Sequence, residues 1–199
     1  MLRSADVRVV VQPTAEPVTL AEAKFHLRLI TDPADTTPHP EDAYVAALIT
    51  VARQAAEDFM NRPVAQATFE LRRWCFEGEL PVAPVQSIVS VSYVDSLGVT
   101  QEVAAEEYEL AGPIAAPYIR PAEGVYFPNP MRRDDAVRIR FVAGYGGDVP
   151  LPATIRHAIL ILVHHYYENR EALVIGTVVN ELSLSVRALL WPHRTQLGV

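Results

Sequence analysis

Apolar residues recur along this chain with two different periods, and the change from one to the other divides it into parts. Thr19 and Glu22 have the spacing of a capping box, and Leu20, Ala23, Leu27 and Ile30 follow at helical intervals, which predicts a short helix from Thr19 to about Leu29. Residues 31–40 hold three prolines, two aspartates and three threonines, a composition that favours a loop over helix or central strand. A second helix is expected from Glu41 or Asp42, whose charge suits a helix N-terminus. Its apolar face is read as Tyr44, Leu48, Val51, Ala52, Ala55 and Phe59, opposite Arg53, Gln54, Glu57 and Asp58. Pro63 biases Arg62 away from helical geometry and ends it.

From Ala67 the period becomes two. Phe69, Leu71 and Arg73 alternate with Glu70, Arg72 and Trp74, and Ile88 to Val94 repeats the pattern, so both segments are predicted strands. Asp95-Ser96-Leu97-Gly98 is a turn from which Val99 to Val103 returns as a hairpin partner. Tyr108 to Leu110, Tyr118 to Arg120 and Gly124 to Tyr126 are further short strand candidates before a Pro-rich turn, and Val137 to Val142 closes the set. Helical spacing returns after Pro150 and Pro152. Ile155, Ala158, Ile159, Leu162, Val163 and Tyr166 form the stripe of a helix running to about Arg170 or Leu173. An irregular stretch at Thr177 to Val179 precedes a last helix over Ser185 to Leu190, stopped by Pro192. The expected class is therefore α+β: a helical bundle frame of about four helices (residues 1–64 and 148–199), interrupted by an antiparallel β-rich insert (residues 65–147).

Composition narrows the function more than the fold. The chain has 199 residues, half of them hydrophobic and 21% charged, as in ordinary folded domains. A single cysteine, Cys75, excludes an internal disulfide and a Cys-based metal site, and fits production in a cytoplasm. Residues 1–12 lack the pattern of a secretion signal, and the apolar run Ile155 to Val163 is too short to span a bilayer, so no membrane association is expected. The net charge of −7, with no basic arm, opposes a simple nucleic-acid binder.

Candidate chemistry is sparse. His157 and His164 share a helical face with Glu168 one turn on, an arrangement open to a metal, but the spacing is not the i, i+4 pair of metal-binding helices. Gly144, Gly146 and Gly147 stand between strand and helix, yet lack the spacing of a phosphate loop and read as a flexible joint. Cys75 in a strand beside Trp74 and Phe76 reads as a small buried hydrophobe, and no serine stands in a nucleophile elbow. No catalytic residue, cofactor or metal is expected. The rival readings are a DNA-contacting module using Arg72, Arg73, Arg138 and Arg140, and a metal-dependent hydrolase using His157, His164 and Glu168.

Several segments, taken in order, carry a resemblance. Val-Thr-Leu-Ala-Glu-Ala-Lys at 18–24, Leu27-Arg28-Leu29, and Phe59-Met60-Asn61-Arg62-Pro63 come first. Leu80 to Ile88, Phe141 to Gly146, Val149-Pro150, Tyr166 to Glu171 and Ala188 to Arg194 follow. Together they resemble the head-tail connector (adaptor) family of tailed phages, which includes the related adaptor of phage-like gene transfer agents. The resemblance implies a structural subunit of a ring of about twelve copies, at the neck of a virion or phage-like particle assembled in bacteria. It implies as partners the portal protein, a stopper or tail terminator protein and identical subunits, with double-stranded DNA passing through without sequence-specific binding. It brings no catalytic residues. The C-terminal segment containing Trp191, His193 and Arg194 is the candidate portal grip, with a cap over the core as the alternative. Tyr166, Tyr167 and Arg170 are the candidate ring or core interface.

Overall fold

The computed structural model describes residues 6–170 and 183–195, and the chain divides into two units, each of two segments. One unit takes Met1–Thr14 with Ala65–Val149, and the other takes Ala15–Val64 with Pro150–Val199. The class is α+β, as expected.

The β unit holds seven strands among its described residues: β1 (Asp6–Val11), β2 (Ala67–Arg73), β3 (Val85–Val94), β4 (Thr100–Val103), β5 (Tyr108–Ala111), β6 (Tyr118–Pro121) and β7 (Val137–Ala143). Five of them form an antiparallel sheet in the order β1-β2-β7-β3-β4, and β5 and β6 form a separate hairpin. Period two decides which side of the sheet is buried. Register rows such as Phe69↔Phe141↔Ile88 and Leu71↔Ile139↔Val91↔Val103 put β-branched, leucine and phenylalanine side chains on one face. Phe76, Leu80 and Ile119 of the flanking segments close over them. Leu71, Ile139 and Phe141 are fully buried, each worth ~2 kcal/mol of transfer free energy.

Three expectations change here. The sequence places residues 1–64 in the helical frame, but β1 pairs antiparallel with β2 and belongs to the sheet. Its sequence Asp-Val-Arg-Val-Val-Val is rich in β-branched residues yet does not alternate, because a strand at the sheet edge leaves most of its positions exposed. Gly124 to Tyr126 is not a strand but part of a turn and extended stretch. The glycine segment is tied down within the unit. Gln86 donates through Nε2 to the carbonyls of Gly144 (2.8 Å) and Gly146 (3.1 Å), and Gly144, at φ 119°, lies so close to Ala65 that a Cβ would stand 2.3 Å from its carbonyl oxygen. Gly144 thus serves a close backbone approach, and the segment is bonded into its unit rather than a loose joint.

The helical unit contains α1 (Leu20–His26), α2 (Asp42–Met60), α3 (Ala153–Glu168) and α4 (Leu184–Leu190) among its described residues. The capping box of α1 is formed: Thr19 Oγ1 accepts from the Glu22 amide at 3.1 Å while Glu22 accepts from the Thr19 amide. The Pro-rich loop after α1 is held by Lys24, whose buried ammonium donates to the Thr37 carbonyl (3.2 Å) and pairs with Asp42 (3.0 Å). Asn61 in the left-handed region ends α2.

The buried stripe of α2 is Val45, Leu48, Ile49, Ala52, Arg53, Ala56 and Met60, rotated from the expected one. Val51 is 46% exposed, whereas Arg53, placed on the polar side by the sequence, is 7% exposed. The reason is ionic: Arg53 pairs with Glu16 at 2.8 Å and with Glu57 one turn on at 2.6 Å. In α3, Ile155, Ala158, Ile159, Leu162 and Val163 are buried as expected, while Tyr166 is half-buried. The helix ends at Glu168 with Asn169 as its non-helical cap, short of the expected Arg170 or Leu173, and the stretch Thr177 to Val179 lies outside the described residues.

Candidate functional site

Ser183 caps α4, and buried Val186 and Leu190 fix the helix against the core of its unit. The chain then tightens into a single 3₁₀ turn, Trp191–His193. This segment is packed on the end of α2. The Trp191 and Phe59 ring centroids are 6.5 Å apart, and the Arg194 guanidinium lies 5.7 Å from the Phe59 ring and 5.6 Å from that of Trp191. The Thr195 amide donates to the Met60 carbonyl at 2.8 Å, and His193 Nε2 is 2.7 Å from Thr154 Oγ1. Burial, with the nearby Arg62 charge, holds the His193 imidazole below its usual pKa. Of the three candidate grip residues, His193 is therefore half-buried, whereas Trp191 remains 61% exposed and Arg194 is exposed beside it. The arrangement is a docked cap that presents one indole face and a stacked guanidinium outward.

The second candidate group is only partly brought together. Arg170 stacks over Tyr44 (4.6 Å) and Tyr167 (4.9 Å), and the two tyrosine rings are 6.2 Å apart. The Glu41 carboxylate accepts hydrogen bonds from both the Tyr167 hydroxyl and the Arg170 guanidinium, which lower its pKa. Tyr166 turns elsewhere, its ring 5.7 Å from His165, and burial raises the pKa of its hydroxyl. The sequence reading missed Glu41 and Tyr44 as members of this cluster. Their location at the start of α2 shows no periodic relation to the end of α3, so only the tertiary fold could join them.

The histidine group gains a member. His26 of α1 sits edge-on between His157 (6.3 Å) and His164 (6.0 Å) of α3. Burial, followed by the two neighbouring imidazoles, pushes the His26 pKa down. Among the described residues no group of three or more His, Cys, Asp or Glu side chains is arranged to hold a metal ion. Cys75 is half-buried, and its thiol donates to the Glu77 carbonyl at 3.4 Å.

The arginines considered for DNA contact separate into two roles. Arg73 points into the core and donates to the carbonyls of Phe76, Gly78 (2.9 Å) and Glu79 (3.3 Å), shaping the turn after β2. Arg72 and Arg140 lie on the other face with Arg8, and all three converge on Glu70: Arg8 at 2.6 Å, Arg72 and Arg140 each at 2.8 Å. Glu70 is 1% exposed beneath them. Burial alone would raise its pKa, but hydrogen bonds from Arg140, Arg72 and Arg8 outweigh that and bring it down to about 2. Arg138 stands in the next register row beside Arg72, 3.9 Å from Asp135.

No model of a known protein family matches the chain, and no curated protein does. Solved structures do. A chain in the virion of a native gene transfer agent particle is 30% identical, with a TM-score of 0.72 and 97% of both chains covered. A chain in the neck of an empty gene transfer agent particle, computed with C6 symmetry, is 28% identical, with a TM-score of 0.73 over 98% of this chain and 97% of that one. A third, in the neck of the native particle computed with C12 symmetry, is 26% identical with a TM-score of 0.67 over 98% and 97%. No helix among the described residues is long and apolar enough to cross a membrane. Along almost all of its length, then, the protein is similar to chains of gene transfer agent particles and of their necks, and it shares their fold.

Proposed function

We propose that this chain is the adaptor subunit of a gene transfer agent or related phage-like particle, forming a ring in the neck that joins the portal to the tail and lets DNA pass. The observation that carries this reading is the near-complete, end-to-end likeness to chains of such necks, two of which were computed with cyclic symmetry. Its partners in that role are the portal, a stopper or tail terminator protein and identical copies of itself. A scaffolding role asks for anchors rather than chemistry. The clusters around Glu41, Arg53 and Glu70 are engaged in ion pairs and stacking.

The end of the chain suits the portal contact. Tryptophan and arginine are frequent anchors at interfaces. Here Arg194 is already stacked on Phe59 and Trp191, so this surface would lose less conformational freedom on binding than a loose tail would. Tyr167 and Arg170, braced by Glu41, suit a contact between subunits.

The direct test is imaging of purified particles carrying the chain. A ring of density fitted by this fold between portal and tail is the expected result, and its absence from the neck refutes the proposal. Trp191→Ala with Arg194→Ala should leave the helical unit folded and abolish capture by the portal; undiminished capture removes the C-terminal segment from that role.

A further inference from the structure

One end of the β unit carries both a projecting apolar side chain and a groove of matching chemistry. The projection is the turn between β3 and β4, Asp95-Ser96-Leu97-Gly98. Asp95 organises it. Its carboxylate accepts from the amides of Leu97 (2.9 Å) and Val99 (3.0 Å) and from Gln101 Nε2 (3.0 Å), while its own amide donates to the Val99 carbonyl at 2.9 Å. On this fixed support Leu97 is 86% exposed and Val99 51%.

The groove, about 670 Å³ in volume, lies between the turn after β2 and the Pro-rich segment before β7. Phe76 and Phe127 stack with ring centroids 4.5 Å apart, and Trp74, Pro130 and Met131 line the groove with them. Trp74 is 55% exposed and Met131 41%. The charged residues of the lining are Glu77 and Arg132, one of each sign, so the groove selects for apolar groups rather than for charge. The Met131 amide donates to the Val94 carbonyl at 2.7 Å, and Asp95 follows Val94, so groove and turn share one end of the unit. The exposure of Leu97 shows that it does not fill the groove of its own copy.

We propose that the β3–β4 turn of one copy inserts Leu97 into the groove between Trp74 and Phe127 of the next copy. The inference rests on the ring-forming role proposed above and supplies one of the ring's contacts. Size points to a second copy as the occupant. The exposed parts of Leu97 and Val99 on one side, and of Trp74 and Met131 on the other, come to on the order of 200 Å² each. A stable pair of separate proteins needs about 800 Å² per partner. A neighbour already held alongside by the ring meets the groove at high effective concentration, so a small contact suffices. The turn is bonded into shape beforehand, which lowers the entropy lost on insertion. Because turn and groove are different parts of the surface, the contact repeats head to tail and closes into a ring.

Leu97→Cys places a thiol at the tip of the turn, and Cys75, the single cysteine of the chain, lines the groove. The full-length variant is oxidised with diamide, which takes up the two electrons and two protons of disulfide formation, as concentrated protein and in purified particles carrying the chain. Non-reducing electrophoresis and peptide mapping should show disulfides between Cys75 and the introduced thiol of another copy, in a ladder extending beyond the dimer. Leu97→Cys with Cys75→Ser, and wild type, should give no ladder. Adding Met131→Glu to Leu97→Cys should cut the yield at least about fivefold, because a charge then stands in the apolar groove. Circular dichroism checks its folding; if it does not fold, the mapped bond decides the matter. A disulfide closed within one copy, bonds only between like positions, closed dimers without a ladder, or no bond at all overturns the proposal. So does capture of a different particle protein by the introduced thiol. Where the two samples differ, the particles decide. If imaging finds the ring while particles lack the bond between copies, this contact fails and the neck role stands. If the bond forms but imaging finds no ring in the neck, copies pair in this way and the neck role fails.

Discussion

Replacing Glu70 by glutamine tests how the outer face of the sheet is held together. The side chain keeps its shape, but three guanidiniums that now converge on a carboxylate would face a neutral amide. The pKa of Glu70 falls from 4.5 to about 2 in the folded protein. At about 1.4 kcal/mol per unit, that gap corresponds to ~3 kcal/mol of stabilisation. Arg8 and Arg140 are half exposed, and solvent screens their share. The expected cost of Glu70→Gln at neutral pH is therefore ~2 kcal/mol. The pH dependence has a definite sign. Because the folded-state pKa is depressed, the stabilisation is complete above the unfolded value of 4.5 and is lost as pH falls toward about 2. Wild type should therefore weaken across that window while the variant changes less. Urea unfolding followed by circular dichroism between about pH 7 and pH 2 gives both quantities, and hydrogen exchange at the β2 and β7 amides localises the effect. Equal stability of the two proteins at neutral pH, with parallel acid limbs, would refute the reasoning.

Arg53→Ala removes the guanidinium that bridges Glu16 and Glu57 inside the helical unit, and should cost about 3 kcal/mol in thermal or urea unfolding; a loss under about 1 kcal/mol would mean the pair is solvated in solution. Gly144→Ala combines a φ of 119° with a Cβ placed 2.3 Å from the Ala65 carbonyl oxygen, so it should destabilise the β unit by at least ~2 kcal/mol, measured by exchange of the β7 amides. His26 has a depressed folded-state pKa, so its contribution is full above 6.5 and disappears as pH falls below it. The contact between α1 and α3 should loosen under mild acid, an effect absent in His26→Gln. An NMR titration placing the His26 imidazole above 6.5 would contradict this.

The elements of this fold were mostly legible because their periods are clean. Thr19 and Glu22 announced α1, and the alternation from Val137 to Val142 announced β7. What the sequence hid depends on partners far away in the chain. Arg53 looks like surface on any hydropathy pattern, and only its pairing with Glu16 explains why α2 turns that side inward. β1 gave a run of valines without alternation because one of its edges has no strand neighbour. The convergence of Arg8, Arg72 and Arg140 on Glu70 arises from cross-strand register, a relation among residues up to 132 positions apart that no local pattern encodes. The C-terminal candidates were found through residue type, since Trp191 and Arg194 are interface residues by chemistry, but their stacking on Phe59 was not foreseeable.

The pairing of β1 with β2 also has a consequence for synthesis. β1 is made first, yet its neighbour in the sheet emerges only after α1 and α2, and the central strand β7 later still. Those two helices in turn wait for α3, which follows the sheet. The β unit cannot be completed by the growing chain until about half of the helical unit has been made, nor the helical unit until the whole β unit has, so folding must draw on contacts distant in sequence and proceed slowly by the standards of small helical proteins. Until then the valine-rich edge of β1 is open to pairing with other nascent chains. Excising residues 65–149 as though they were a self-contained insert would leave that strand behind without its sheet.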